Sequence, residues 1–308
     1  MVRLLALEGG GGVVDREYFQ YKGADIVSHI LPRKFAYWVG LRVADSMYRR
    51  DVRGRRAVIS NLRHILEFQG VSPSRETLRR LSRKTFQYFG KYLVDFFRFK
   101  QMPIQRVEKF VSIEKGESMK KAERTGKGVL AVGAHLGSWE IGGAVLAALG
   151  HPASVVVLPE SNRRIDRLFQ KRRKNRGMRL LPVGRAAMGI VRALEKREWA
   201  AVLADRDYSG RNDPIDFFGK PARLPRGPAL ISARTGAPLL PVFLLREPDD
   251  TFLLRFHEPI NASGEGAYEE IRLRLCRVLE AEIAARPEQW FMFEDFWGWD
   301  LRRGEQNS

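Results

Sequence analysis

The chain is 308 residues long, with 44% hydrophobic and 29% charged residues. That suffices for one large domain or two small ones with a buried core. It excludes a disulfide-stapled miniprotein, a largely disordered chain and a polytopic membrane protein. The 54 Lys and Arg outnumber the 36 Asp and Glu by 18, so anionic partners are expected: nucleic acid, a lipid surface, phosphorylated substrates or an acidic protein. Cys276 is the single cysteine, which rules out an intrachain disulfide and a cysteine-cluster zinc site and suits a reducing compartment.

From the N-terminus, the apolar run in Met1–Glu8 is too brief for the core of a secretory signal, and no export signal is expected. Between Tyr21 and Tyr48, apolar and aromatic residues such as Ile30, Phe35 and Trp38 alternate with Arg33, Lys34 and Arg42. No part of this stretch is apolar enough to span a bilayer. It suits either a helical hairpin lying in an anionic interface or an amphipathic helix packed on the core. Ser72 and Pro73 signal a helix start, and a helix is predicted to about Phe99. Its aromatic face, Phe86, Phe89, Tyr92, Phe96 and Phe97, reads as core.

From Gly128 the pattern changes. Short apolar runs at Gly128–Ala134, Ala153–Leu158, Ala200–Ala204, Leu239–Leu245 and Phe252–Phe256 predict strands. They are separated by predicted helices at Trp139–Leu149, Arg163–Asn175, Ala187–Lys196, Gly227–Thr235 and Tyr268–Ala285. This order predicts an α/β fold with a mixed, largely parallel sheet flanked by helices. The expected division is an N-terminal helical, membrane-associating region at 1–125 packed on an α/β core at 126–308, the two forming one structural domain. The uncharged stretch Ile141–Pro159 is broken by Gly150-His151-Pro152 and reads as helix, turn and strand.

Chemistry is expected first at His135. Gly133-Ala134-His135-Leu136-Gly137-Ser138-Trp139-Glu140 leaves an apolar strand and enters a helix, a junction where ligands gather in open α/β sheets and where unpaired helix N–H groups favour developing negative charge. On a continuous helix His135 and Glu140 would point roughly 140° apart. With His135 on the preceding loop, Glu140 is placed to accept a hydrogen bond from one imidazole nitrogen while the other receives a substrate proton, making His135 a general base and Glu140 its orienting partner. Asp205 and Asp207, with Arg206 between them, follow a strand and suit either sugar hydroxyls or arginine pairs. Phe217-Phe218-Gly219 reads as an apolar turn that lines an acyl slot or plugs a sheet edge. The run Arg163–Arg179 holds nine cations against Asp166 alone. Its candidate clients are lipid phosphates, the phosphate of coenzyme A, or an acidic carrier protein.

His135-Leu136-Gly137-Ser138-Trp139-Glu140 resembles the His-x4-Asp/Glu motif of glycerolipid-type acyltransferases. The chain most resembles the lipid A late acyltransferase family, with its phosphatidylinositol mannoside acyltransferase cousins. Asn61-Leu62-Arg63, Arg173-Lys174-Asn175-Arg176-Gly177, Ala204-Asp205-Arg206-Asp207, Asp216-Phe217-Phe218-Gly219 and Pro225-Arg226-Gly227-Pro228 continue the resemblance in order. It implies a glycerolipid-acyltransferase-like core with an N-terminal membrane-associating hairpin. It also implies acyl transfer from an acyl carrier protein or coenzyme A thioester to a glycolipid hydroxyl, such as that of a lipid A precursor, at the cytoplasmic face of the inner membrane. His135 and Glu140 take the catalytic positions, while Arg173, Asp205, Asp207, Arg185 and Gly219 are carried over as substrate-binding. No metal, tightly bound cofactor or nucleic-acid partner is implied. Arg206 stands where lipid A enzymes carry Gln, as in the mannoside branch.

Among rival readings, a serine hydrolase lacks a Gly-x-Ser-x-Gly elbow. Gly126-Lys127-Gly128-Val129-Leu130-Ala131 precedes a strand where a dinucleotide fingerprint should follow one. There is no phosphate-loop or His-Glu-x-x-His sequence. A nucleic-acid-binding protein would account for the charge but not for His135 and Glu140 at a strand-to-helix junction.

Overall fold

The structure, a computed structural model, describes residues 12–99, 103–207 and 213–298, without the side chains of residues 12–17, 20 and 185. The residues before position 12, where no export signal was expected, lie outside it. Two compact units are present, and the chain passes between them more than once. One comprises the residues up to Asp95, Asp213–Arg223 and those from Glu280 on; the other is Phe96–Asn212 with Leu224–Leu279.

The second unit is built on a seven-stranded sheet. Its strands are β1 (Val111–Glu114), β2 (Val129–Gly133), β3 (Ala153–Val157), β4 (Arg179–Pro182), β5 (Trp199–Leu203), β8 (Leu239–Arg246) and β9 (Phe252–Phe256), in the spatial order β1-β9-β8-β2-β5-β3-β4. Only the β8–β9 pair is antiparallel. Every residue of β2 is buried, as expected of a central parallel strand whose continuous apolar run is covered on both faces. The connecting helices are α5 (Ile104–Phe110), α6 (Gly116–Glu123), α7 (Trp139–Ala148), α8 (Arg163–Asn175), α9 (Ala186–Glu195) and α10 (Gly227–Thr235). Ile141, Val145, Leu244 and Phe252 are part of the main apolar core.

All five predicted strands are present to within two residues, and the five predicted helices to within one. The short β1 and β4, at the two edges of the sheet, and the brief α5 and α6 have no counterpart in that reading. Edge strands of four residues, half-exposed and broken by charge, leave too little apolar periodicity to see.

The first unit contains α1 (Gly12–Ile30), α2 (Arg33–Arg50), α3 (Val52–Phe68), most of α4 (Arg75–Arg98), the hairpin β6–β7 (Ile215–Phe217 and Lys220–Ala222) and the end of α11 (Ala267–Ala285). The start of α4 is capped by Ser74, whose hydroxyl accepts from Thr77 N–H at 3.1 Å, not by Ser72. Phe86 and Phe89 pack edge-on against Phe293 with ring centroids 4.9 and 5.2 Å apart, so this part of the aromatic face is core, as its spacing predicts. Asn61 donates to the carbonyls of Met292 and Glu294 and accepts from Phe296 N–H, tying α3 to the segment after α11. Among the described residues no helix is long and apolar enough to cross a membrane.

Within the second unit, Arg176 is buried and donates to the carbonyls of Phe96 and Phe99, with its guanidinium 4.7 Å from the centroid of the Phe96 ring. It thereby serves one carbonyl in the last turn of α4 and one just beyond it, where helical partners run out. Arg176→Ala is expected to cost about 3 kcal/mol, because a charge-assisted pair is lost and two buried acceptors are orphaned. A lowered urea midpoint at unchanged slope measures it; an unshifted midpoint contradicts the role.

Candidate active site

The site grows out of the register between β2 and β5. These parallel strands end with Gly133 opposite Leu203, and the ladder continues one step further as Ala204 N–H donates to the Gly133 carbonyl at 2.9 Å. The next residue on each chain is therefore brought to the same place at the carboxyl edge of the sheet: His135 from β2 and Asp205 from β5. Asp205 is fully buried and holds the histidine at two points. One carboxylate oxygen accepts from the His135 backbone N–H at 2.9 Å, and the other lies 2.8 Å from Nδ1.

That second contact settles the tautomer. A carboxylate is an acceptor, so Nδ1 carries the proton and Nε2 is left with its lone pair. Nε2 makes no hydrogen bond among the described residues, and the side chain keeps 12% of its surface exposed. Trp139 walls the ring edge-on at 5.1 Å between centroids. Burial pushes the His135 pKa below its ordinary value of 6.5, assisted by the nearby Arg206 charge and opposed by the Asp205 carboxylate. The result is an imidazole that is neutral near pH 7, oriented, and open at the nitrogen that can take a proton.

The loop behind His135 is shaped by Gly137, whose φ is +66° and where any Cβ would fall 2.3 Å from the Leu244 carbonyl oxygen. Only glycine fits. The same carbonyl accepts from Ser138 N–H at 2.7 Å, and α7 begins with the next residue. The positive end of the α7 dipole thus sits four residues from His135.

The expected pairing of His135 with Glu140 is not what forms. Glu140, buried in the first turn of α7, accepts from Arg173 of α8: Nε lies 3.0 and 3.1 Å from the two carboxylate oxygens, and a terminal nitrogen 2.5 Å from one of them. The physical reason is competition. Asp205 already occupies Nδ1, whereas the guanidinium fork of Arg173 matches the Glu140 carboxylate in a bidentate contact. Arg173 accordingly spends its charge on Glu140. Glu160, after β3, belongs to the same neighbourhood: burial raises its pKa, Asp166 and Glu140 add to the rise, and Arg173 opposes it. No motif singled out Glu160. Among the described residues no group of three His, Cys, Asp or Glu side chains is placed to hold a metal ion.

The bacterial lipid A biosynthesis acyltransferase profile matches residues 16–298. The chain belongs to that family. Among its relatives, the phosphatidylinositol mannoside acyltransferase of Mycolicibacterium smegmatis is 27% identical over 228 residues, 72% of this chain and 73% of the relative. The lipid A biosynthesis palmitoleoyltransferase of Escherichia coli K12 is 27% identical over 263 residues, 84% of each chain. The phosphatidylinositol mannoside acyltransferase of Mycobacterium tuberculosis (strain CDC 1551 / Oshkosh) is 26% identical over 236 residues, 73% of each. The protein is thus an acyltransferase of glycolipid biosynthesis, and its mixed, largely parallel sheet flanked by helices is the core expected of that resemblance.

Other expected substrate residues of this lipid A-type acyltransferase fare differently. Asp205, carried over as substrate-binding, is engaged by His135. Asp207 is partly buried two residues further on, just before the residues outside the description. Of Arg185 only the backbone, in a short 3₁₀ turn, is described. Gly219 closes the two-residue turn of the β6–β7 hairpin with φ +72°, after Phe218 at φ +56°. Such a pair of positive φ values is the type I′ geometry that hairpins prefer. The strained Phe218 is held by Glu280, which accepts from its N–H at 2.5 Å, and Asp216 accepts from Gly219 N–H at 2.9 Å. Phe217 and Phe218 are fully buried among Phe68, Phe296 and Trp297. These two side chains thus pack within the first unit, and the positive φ of Gly219 meets the need of the turn.

Proposed function

We propose that the protein moves a fatty acyl chain from a thioester to a hydroxyl of a phosphorylated glycolipid at the surface of an anionic membrane, without an acyl-enzyme intermediate. The observation that carries this reading is the His135–Asp205 pair, with Nε2 open beside the start of α7. In the reaction, Nε2 removes the acceptor hydroxyl proton as its oxygen attacks the thioester carbonyl. Asp205 stabilises the imidazolium that results. The positive end of α7 favours the oxyanion of the tetrahedral intermediate. Collapse breaks the carbon–sulfur bond, and the imidazolium returns its proton to the departing thiolate, leaving an ester, a thiol and neutral His135. The Glu140–Arg173 pair acts behind the base, clamping α7 to α8.

The acceptor is either a lipid A precursor or a phosphatidylinositol mannoside; Arg206 in place of Gln favours the second. The acyl donor is an acyl carrier protein or coenzyme A thioester, and the setting is the cytoplasmic face of the inner membrane. Contact with the bilayer falls to α1 and α2, where Phe19, Ile30, Phe35 and Trp38 are exposed by 64, 74, 62 and 60%. Lys34 and Arg42 of α2 supply the charge that anionic headgroups attract.

Purified protein given a palmitoyl thioester and extracted bacterial glycolipid is expected to release free thiol only when the lipid is present, with a matching mass increase of one palmitoyl group on it. Equal thiol release without the lipid would make the protein a thioesterase; no release from any thioester would refute the reading.

A further inference from the structure

Helix α8 carries two opposite faces. Ile165, Phe169 and Arg172 are buried, while Arg163, Arg167, Lys171 and Lys174 are exposed. Spacings of four, four and three residues keep those four cations within one sector about 80° wide, in a ridge about 16 Å long at 1.5 Å per residue. Among the described residues none of the four has a carboxylate partner. The ridge begins at the positive end of the helix dipole, where cations are unfavourable. The single acid of the first turn, Asp166, is occupied by Glu160 N–H at 3.2 Å and the Gln170 amide at 2.7 Å. A row of like charges left unpaired along one helix face costs stability, although the dipole favours Lys174 in the last turn, and this points to an external anion as its reason.

The ridge is also tied to the chemistry. Asn162 caps α8 at the carboxyl end of β3, the same edge of the sheet that presents His135 and Asp205. On another side of the helix, Arg173 grips Glu140 in the first turn of α7. A partner lying along the ridge therefore ends at the active-site edge.

We infer that the exposed ridge of α8 docks an acidic helix of a carrier protein that delivers the acyl thioester. This rests on the acyl-transfer reading above and selects its donor. The length decides against the nucleotide of coenzyme A, because one charge per turn over about 16 Å matches a second helix rather than a single phosphate. Composition decides against a bilayer: every exposed residue of α8 is Arg, Lys or Asn, whereas α1 and α2 expose aromatic and aliphatic side chains.

The test is the triple variant Arg167→Glu, Lys171→Glu, Lys174→Glu, assayed with palmitoyl-acyl carrier protein, palmitoyl-coenzyme A and palmitoyl-N-acetylcysteamine. Rim charges act mainly on encounter, so KM for the carrier thioester is expected to rise about tenfold or more, with kcat retained. Rates with the two small thioesters should be unchanged, and the wild-type preference for the carrier should weaken with salt. An unchanged KM for the carrier overturns the inference. So does an equal loss on all three donors, which would assign the ridge to the acceptor, or a loss on coenzyme A as large as that on the carrier. Weaker binding to phosphatidylglycerol vesicles with the carrier KM unchanged would hand the ridge to the membrane and likewise overturn it. Should the wild type transfer acyl groups from none of these donors, the acyl-transfer reading fails separately. Calorimetric binding of acyl carrier protein to the wild type and not to the triple variant would then still support the dock, and its absence would end it.

Discussion

Replacing His135 with alanine is expected to lower acyl transfer by about 10³-fold, the contribution typical of a positioned general base. The free-energy change is about 4 kcal/mol of transition-state stabilisation. The loss should appear in kcat, because Nε2 touches the reacting hydroxyl rather than the distant parts of either substrate. Folding should survive: alanine adds no bulk to the loop, and the ring contact it gives up is with the edge of Trp139. Asp205 would lose its imidazole partner but keep the His135-position backbone N–H, which alanine also supplies. Thiol release and circular dichroism, measured together, separate the outcomes. Turnover within tenfold of wild type in a folded variant removes His135 from the chemistry.

Much of this site was legible locally, and the part that was not has a definite cause. His135 stands out because the sequence passes from an apolar strand through small residues into a helix, all within a dozen positions. Asp205 carries the same local signal, an acid directly after the apolar run Ala200–Ala204. Its meaning nevertheless depends on β5 lying beside β2 in register. That pairing joins residues 70 positions apart, beyond the reach of any window read for periodicity. Glu140 was attractive as the partner only because it is near in sequence. Its true partner, Arg173, sits on the helix after the next strand, and its choice rests on a bidentate geometry that residue spacing does not encode. The basic run was visible as composition. Its division into buried Arg172 and Arg176, paired Arg173 and an exposed ridge required the orientation of α8 against the sheet.

Asp205→Asn is expected to lower the rate by a comparable factor, roughly 10³-fold, because an amide can present a donor to Nδ1 and stabilise the wrong tautomer, and because it cannot stabilise an imidazolium. The pH profile makes the assignment specific. In the wild type, burial holds the His135 pKa below 6.5 while Asp205 pulls it upward. The base form therefore persists as pH falls past 6.5, and the acid limb of kcat/KM is expected below that value. The linkage sign agrees. With the folded pKa lowered, the unfolded chain takes up its proton first, so stability from this group is present above pH 6.5 and is lost as pH falls from 6.5 through the folded value. Removing the Asp205 charge removes the upward pull, and the acid limb of the asparagine variant should move to lower pH still. Glu140→Gln supplies the contrast. It breaks a buried ion pair that does not touch His135, so its expected signature is a stability loss of about 3 kcal/mol or more from the unpaired Arg173, with the acid limb nearly in place. An acid limb that shifts with Glu140→Gln and stays fixed with Asp205→Asn would reverse the two roles, restoring the five-residue spacing as the guide to the dyad and leaving Asp205 a purely structural brace for the loop.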